Sequence, residues 1–272
     1  MKKVSLKAGG GNEARTVGNF LTKHRLGTDS LSALSKGGWH NSLHRPQFQG
    51  PCCTLHATYQ PQHLYSLLTR IQAELGCALP KVPEVFFKPA ECLNDPCGNV
   101  VVPATAPSAL DAEVELAIVI GKDCKNVDKS SALDYVLGYT VANDVTARDV
   151  QSRVSQWSFS KGYDGFCPLG PVIVRADLPG FHVTNLPMKT TLNGEVLQDG
   201  NSSKMIFSVE EIVSYLSQDT TLPAGTVIIT GTPSGIGHSY KPPKYIKPGD
   251  DLSVSIGGVG TLRNSLVAAV RL

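Results

Sequence analysis

The strongest apolar pattern in the chain is DAEVELAIVIG at residues 111–121, where Val and Ile alternate with other residues and then run together up to Gly121. Such a run predicts a β-strand with at least one buried face. GYTVANDV at 138–145 and TVIITG at 226–231 repeat the signal, and FFKP at 86–89 predicts a short strand ended by Pro89. After the KPGD turn at 247–250, DLSVSI places Leu252, Val254 and Ile256 on one face of a further strand. Helical spacing is scarcer. It predicts a helix around His63 to Leu75 and a short one from Ser131 to Leu137 with Gly138 as its C-cap. A third helix, IVSYLSQ, opens with a capping box formed by Ser208 and Glu211.

Many short strands, few short helices and abundant Gly and Pro predict a β-rich, mixed α/β domain built on coiled sheets rather than a doubly wound one. The pattern changes near residue 80. Residues 1–80 show little periodicity and are set apart as an N-terminal or lid segment, and 81–272 as the core. Gly257-Gly258-Val259-Gly260 lies between strand-like segments with no helix after it, so it is not a dinucleotide-binding fingerprint.

Composition narrows the classes. A length of 272 residues suits one large domain, or a domain with an added segment. A net charge of +2 gives no reason to expect nucleic acid or an anionic membrane as partner. No apolar run is as long as a membrane span, and the N-terminus lacks the apolar core of a secretory signal. The seven cysteines, scattered except for Cys52 and Cys53, form neither a disulfide framework nor a zinc spacing, so reduced thiols are expected. The first fifty residues hold Lys2, Lys3, Lys7, Arg15, Lys23, Arg25, Lys36 and Arg45 against Glu13 and Asp29. That basic start admits a mitochondrial transit segment as an alternative, but Gly9, Gly10 and Gly11 and the lack of an amphipathic stripe favour a cytoplasmic protein.

The chemistry begins with Glu113 and Glu115, which at i and i+2 project from one face of the predicted strand. The ordinary reading of an isolated E-x-E is the solvent face of an edge strand. In so apolar a segment, however, an uncompensated buried carboxylate is costly, and a hard divalent cation relieves that cost. An all-oxygen site suits Mg²⁺ or Mn²⁺ better than zinc. Asp144 follows in YTVANDVTARDV.

From about residue 82 onward the chain resembles the fumarylacetoacetate hydrolase superfamily. The matching pieces, in order, are PEVFFKP, DAEVELAIVIGK, DYVLGYTVANDVTARDVQ, FSKGYD, PLGP, SSKMIFSVEEIVSYLS, LPAGTVIITGTPSGIG and IKPGDDLSVSIGGVGTLRN. The resemblance implies a mixed β-sandwich roll, usually in a homodimer, with Mg²⁺ or Mn²⁺ held by Glu113, Glu115 and Asp144. It further implies Lys161 as the active-site lysine, and Arg148, Gln151 and Thr232 as substrate contacts, with Lys88 near the site. For Arg148 an ion pair with Asp149 or Asp164 is the structural alternative.

The resemblance breaks in the lid. Hydrolytic members carry an H-x-x-E pair ahead of the FxKP motif, which activates the attacking water. Here the Glu falls on Glu74 and the His position on Ile71, which cannot accept a proton. His40, His44, His56 and His63 lie upstream, where the ordinary reading is exposed loop residues. Gly162 and Tyr163 also replace the Ser-Phe that commonly follows the lysine. The expectation is therefore a metal-dependent enzyme acting on a small 2-oxo or β-dicarbonyl acid through a metal-stabilised enolate, by decarboxylation or keto–enol tautomerisation of an oxaloacetate-like substrate. C–C hydrolysis of an acylpyruvate or fumarylacetoacetate-type substrate is the alternative, and a non-catalytic ligand-binding protein a further one.

Overall fold

The structure, a computed structural model, describes residues 63–67, 80–106 and 108–269. Its strands in chain order are β1 (Leu64–Leu67), β2 (Val85–Phe87), β3 (Leu93–Asn94), β4 (Val100–Val102), β5 (Leu110–Asp111), β6 (Val114–Ile120) and β7 (Val136–Asn143). They continue with β8 (Thr146–Ala147), β9 (Cys167–Arg175), β10 (Pro187–Leu192), β11 (Glu195–Asn201), β12 (Val227–Ile229), β13 (Asp251–Ile256) and β14 (Gly260–Ala268). Among the described residues two α-helices accompany them, α1 (Arg148–Gln151) and α2 (Val209–Ser217).

A seven-stranded sheet runs β2-β1-β12-β6-β7-β9-β3, and a five-stranded sheet runs β11-β10-β13-β14-β4. Both are mixed: β1 with β12, β3 with β9 and β14 with β4 are parallel, while the remaining pairs of these sheets are antiparallel. β5 and β8 form a small ladder of their own. The sheets pack face to face, β10 and β13 lying against β6 and β13 and β14 against β7. Leu116, Ile118, Leu252, Val254, Ile256 and Leu262 are buried in this layer. The alternation expected for residues 251–256 is what places Leu252, Val254 and Ile256 there.

Every residue of β6 is buried, as befits a central strand covered on both faces. The α2 capping box forms as expected, with the Ser208 hydroxyl accepting the Glu211 N–H and the Glu211 carboxylate accepting the Ser208 N–H. Three expectations are corrected. Leu64–Leu67 is strand, because β1 inserts between β2 and β12; the rest of that helix expectation lies outside the described residues. The turn before β7 is a 3-10 helix, Lys129–Tyr135, and Gly138 belongs to β7, which begins at Val136 by pairing with Ile120. Cys92, Cys124 and Cys167 are free, as expected, but Cys97 is disulfide-bonded. Spacing along a chain does not report which sulfurs meet in space.

Candidate metal centre

The antiparallel register of β6 and β7 sets Val114 opposite Asn143 and Glu115 opposite Ala142. Glu113 therefore faces Asp144 at the mouth of the ladder, where the Asp144 N–H donates to the Glu113 carbonyl at 3.0 Å. The two-residue period of a strand returns Glu115 to the face of Glu113. One carboxylate oxygen from each of Glu113, Glu115 and Asp144 lies within 4.8 Å of the others. Their exposures are 3%, 1% and 0%, so the solvent-face reading of the E-x-E pair does not hold.

Three cations surround the acids. Lys161 Nζ donates to Glu113 Oε2 at 2.8 Å and to Asp144 Oδ2 at 2.7 Å. The Phe86 ring lies 5.5 Å from the same ammonium and helps to shield it from water. Lys88 Nζ donates to Asp144 Oδ1 at 2.7 Å, to the Phe166 carbonyl at 3.2 Å and to the Lys161 carbonyl, which engages all three of its hydrogens. Arg148 donates to Glu113 Oε1 at 2.5 Å, to Asp111 Oδ2 at 3.0 Å and to Gln151 Oε1 at 2.9 Å. Its ion partners are thus Asp111 and Glu113, not Asp149 or Asp164. The β5–β8 ladder explains the choice, since it pairs Asp111 with Thr146, two residues before Arg148.

The charges do not balance. Asp111, Glu113, Glu115 and Asp144 face Lys88, Lys161 and Arg148, and among the described residues no cation pairs with Glu115. Burial and the neighbouring Asp144 and Glu113 push the Glu115 carboxyl well above the ordinary carboxylate range, with Lys161 and the Gly231 N–H opposing. Asp144 is also pushed up by burial, but Lys161 and Lys88 more than offset this and hold it below that range. Burial lowers Lys161 as well, yet Asp144 and Glu113 outweigh it and keep the ammonium protonated. The donor set fits a hard divalent cation: all oxygen, one negative charge in excess, and carboxylates that still have lone pairs unused.

The remaining expected residues are placed as follows. Gln151 is nine-tenths buried, and its Nε2 has no partner among the described residues, so it keeps a donor to offer. The Thr232 hydroxyl donates to the Val114 carbonyl at 2.9 Å, which ties the TGTP turn to the acid-bearing strand. Gly231, just before it, donates its N–H to Glu115 Oε2 at 2.6 Å from a backbone with φ of 87°, a conformation glycine adopts without cost. A pocket of about 90 Å³ opens beside this turn, lined by Gly231, Thr232, Pro233, Ser234, Lys204 and Met205 among others. Glu74 and Ile71 lie outside the described residues. His63 precedes β1, its ring stacked on Tyr65 at 6.1 Å.

Gly162 has a steric reason. A Cβ there would sit 2.5 Å from the Ser158 carbonyl oxygen and 3.0 Å from Pro89 Cδ, so a serine does not fit this loop. Tyr163 packs its ring 5.1 Å from Phe166. Sequence reasoning missed Ser66, whose hydroxyl donates to Asp144 Oδ2 at 3.2 Å, and Asp111, which accepts N–H groups from Ala112, Gly237 and His238. The signal for Asp111 was its place two residues before Glu113, continuing the same alternation.

The chain is similar to known proteins of one family. The model of the fumarylacetoacetate (FAA) hydrolase C-terminal family matches residues 60–267. Oxaloacetate tautomerase YisK of Bacillus subtilis is 42% identical over 188 residues, which span 69% of this chain and 62% of that protein. The crystal structure of 5-carboxymethyl-2-hydroxymuconate delta-isomerase from Mycobacterium smegmatis superposes with a TM-score of 0.68 at 34% identity, covering 78% of this chain and 81% of that one. Fumarylacetoacetate hydrolase from Exiguobacterium antarcticum gives 0.69 at 37%, covering 78% and 76%. With a family model matched over most of its length and the fold shared, this chain belongs to the fumarylacetoacetate hydrolase family.

Proposed function

We propose that this protein is a divalent-cation-dependent enzyme that interconverts the keto and enol forms of a small 2-oxo dicarboxylic acid of the oxaloacetate type, with decarboxylation as a related outcome. The observation that carries the reading is Glu115: a carboxylate 1% exposed, beside Glu113 and Asp144, with no cation paired to it among the described residues. Mg²⁺ or Mn²⁺ held by Glu113, Glu115 and Asp144 would supply Lewis acidity toward the substrate's oxo group.

The chain's own groups do the rest. In keto–enol exchange one proton leaves the carbon beside the oxo group and one reaches the oxo oxygen. Lys161 Nζ, held between Glu113 and Asp144, is the group that carries the proton or meets the negative charge that develops on that oxygen. The unengaged Nε2 of Gln151 donates to the substrate, and the Thr232 turn holds its carboxylate. Arg148 holds Gln151 through Oε1 and Glu113 through its carboxylate, so it orients two contacts at once. Lys88, its donors all engaged, orients Asp144 rather than substrate.

Tautomerisation needs no activated water, so Ile71 at the lid position does not impede it. The name carried by the Bacillus subtilis relative points to the same reaction. Hydrolysis is the second reading, favoured by the 37% identity to a fumarylacetoacetate hydrolase and opposed by Ile71. The test is purified protein with Mg²⁺ or Mn²⁺ and, separately, the enol of oxaloacetate, its keto form and an acylpyruvate, each product followed on its own. Fast loss of enol absorbance without acylpyruvate cleavage is expected. Rapid cleavage with neither tautomerase nor decarboxylase activity overturns the order. Unchanged turnover in both Glu115→Ala and Lys161→Ala would remove the enzyme reading altogether. A homodimer is read from the same family resemblance, and sedimentation of the intact chain at two concentrations tests it.

A further inference from the structure

Behind the acid cluster one buried amide joins the two sheets. Gln198 lies on β11 of the five-stranded sheet and is fully buried. Its Oε1 accepts the Val114 N–H at 3.0 Å and the Thr190 hydroxyl at 2.7 Å. Its Nε2 donates to Thr232 Oγ1 at 2.7 Å and to the Pro233 carbonyl at 2.9 Å. Both acceptor positions and both hydrogens of the amide are therefore used. The orientation is unambiguous, because a backbone N–H only donates and a backbone carbonyl only accepts.

The partners matter more than their number. Val114 is the residue between Glu113 and Glu115. Thr232 follows Gly231, whose N–H holds Glu115 Oε2. The two segments that fix Glu115 are thus each hydrogen-bonded to one side of the same amide.

We propose that Gln198 is a positioning residue: it sets the distance between the Glu113–Glu115 strand and the Gly231–Thr232 turn, so that cation affinity and substrate grip depend on a side chain that touches neither. The inference rests on the metal reading above. No isosteric replacement performs the role. A methionine offers neither donor nor acceptor of comparable strength. A glutamate keeps the acceptor for Val114 and Thr190, but its second oxygen carries at most one hydrogen, so it satisfies Thr232 or the Pro233 carbonyl and never both, and when ionised it turns a lone pair toward that carbonyl.

Three variants of the full chain test it: Gln198→Met, Gln198→Glu and Thr190→Val. Thr190 sits at the far end of the network, on β10, and its hydroxyl bonds Gln198 without touching the acids. Each variant is titrated calorimetrically with Mn²⁺ alone, melted in EDTA, and assayed for kcat and KM on the enol of oxaloacetate. Expected is a loss of Mn²⁺ affinity of about tenfold or more in both Gln198 variants, in the range outer-shell partners of metal ligands command. KM should rise more than kcat falls, because the turn that binds substrate moves. Thr190→Val should melt lower, as any broken buried hydrogen bond dictates, yet keep Mn²⁺ affinity within about twofold.

Gln198→Glu retains the acceptor for Val114 and Thr190 and is the second variant on which affinity is read should Gln198→Met fail to fold. Wild-type affinity in folded Gln198→Glu overturns the inference. So does an affinity loss in Thr190→Val equal to that in Gln198→Glu, which would mean general loosening. A wild-type protein that binds no Mn²⁺ removes the metal reading itself and the inference with it, an outcome distinct from the other two.

Discussion

Glu211 stands in the first turn of α2 with its side chain 37% exposed, paired with Lys129 at 2.7 Å and closing a capping box on Ser208. Glu115 stands in β6, 1% exposed, among other acids and, among the described residues, with a single backbone N–H from Gly231 as its donor. The lysine and the Ser208 N–H draw the Glu211 carboxyl below its ordinary value. Burial and the acids beside it drive Glu115 the other way. A chain gains by ionising the first and is strained by ionising the second. The first is an ordinary device for starting a helix. The second is the observation on which the proposed cation site rests, and the contrast between them is where the functional reading can be broken.

The largest expected effect lies at Glu115. Glu115→Gln should abolish measurable Mn²⁺ binding, exceeding the roughly 10–100-fold that outer partners cost, while the metal-free protein melts no lower than wild type. Calorimetry and thermal melts in EDTA check both halves, and a variant that still binds Mn²⁺ with wild-type affinity would sink the site. Next comes Lys161→Met, which should lower turnover by about 10²–10⁴-fold while leaving Mn²⁺ affinity undiminished, since it removes a proton carrier and a competing positive charge together. A parallel collapse of metal affinity would make Lys161 a structural residue.

The pH response separates Glu115 from Asp144. In the metal-free protein Glu115 titrates above its ordinary value of 4.5, so the folded state keeps a proton that the unfolded chain has released. Its contribution to stability is full below that value and is lost as pH rises through the raised one, with a slope approaching about 1.4 kcal/mol per pH unit. Asp144, held below its ordinary 3.8, acts in the opposite sense: its contribution is present above that value and is lost as pH falls through the depressed one. Melting the protein in EDTA as pH rises above 4.5 should show falling stability in wild type and a flatter profile in Glu115→Gln. The smallest effects belong to α2. Ser208→Ala should cost about 1 kcal/mol, and Lys129→Ala under about 1 kcal/mol, with Mn²⁺ affinity unchanged in both.

What the sequence showed follows the same divide between local and distant causes. EVELAIVIG, SVEE and DLSVSI were legible because strand alternation and helix capping are short-range patterns. Glu113 and Glu115 stood out because their residue type clashes with their apolar surroundings, and the family resemblance added Asp144 to them. β1 was not, because LYSL becomes strand through Val85–Phe87 on one side and Val227–Ile229, far along the chain, on the other. Ser66 was missed with it. Arg148 was named through the resemblance, but its pairing with Asp111 in place of Asp149 or Asp164 was not foreseen, since the β5–β8 ladder that joins them has no local signature. Gln198 carried no signal at all: a glutamine within an ordinary strand shows its four bonds only when two sheets close on it.

The position of β1 has a practical consequence for anyone expressing shorter forms of this protein. A fragment beginning at residue 81 would keep every acid and lysine of the centre and lose the strand that separates β2 from β12. β2 would have no ladder left, and Val227–Ile229, buried in the intact sheet, would become a bare apolar edge of the kind that templates intermolecular pairing. The Lys88 N–H would lose the Leu64 carbonyl, and Asp144 the hydroxyl of Ser66. Such a fragment is expected to aggregate, and its silence in an assay would report a missing strand rather than a missing chemistry.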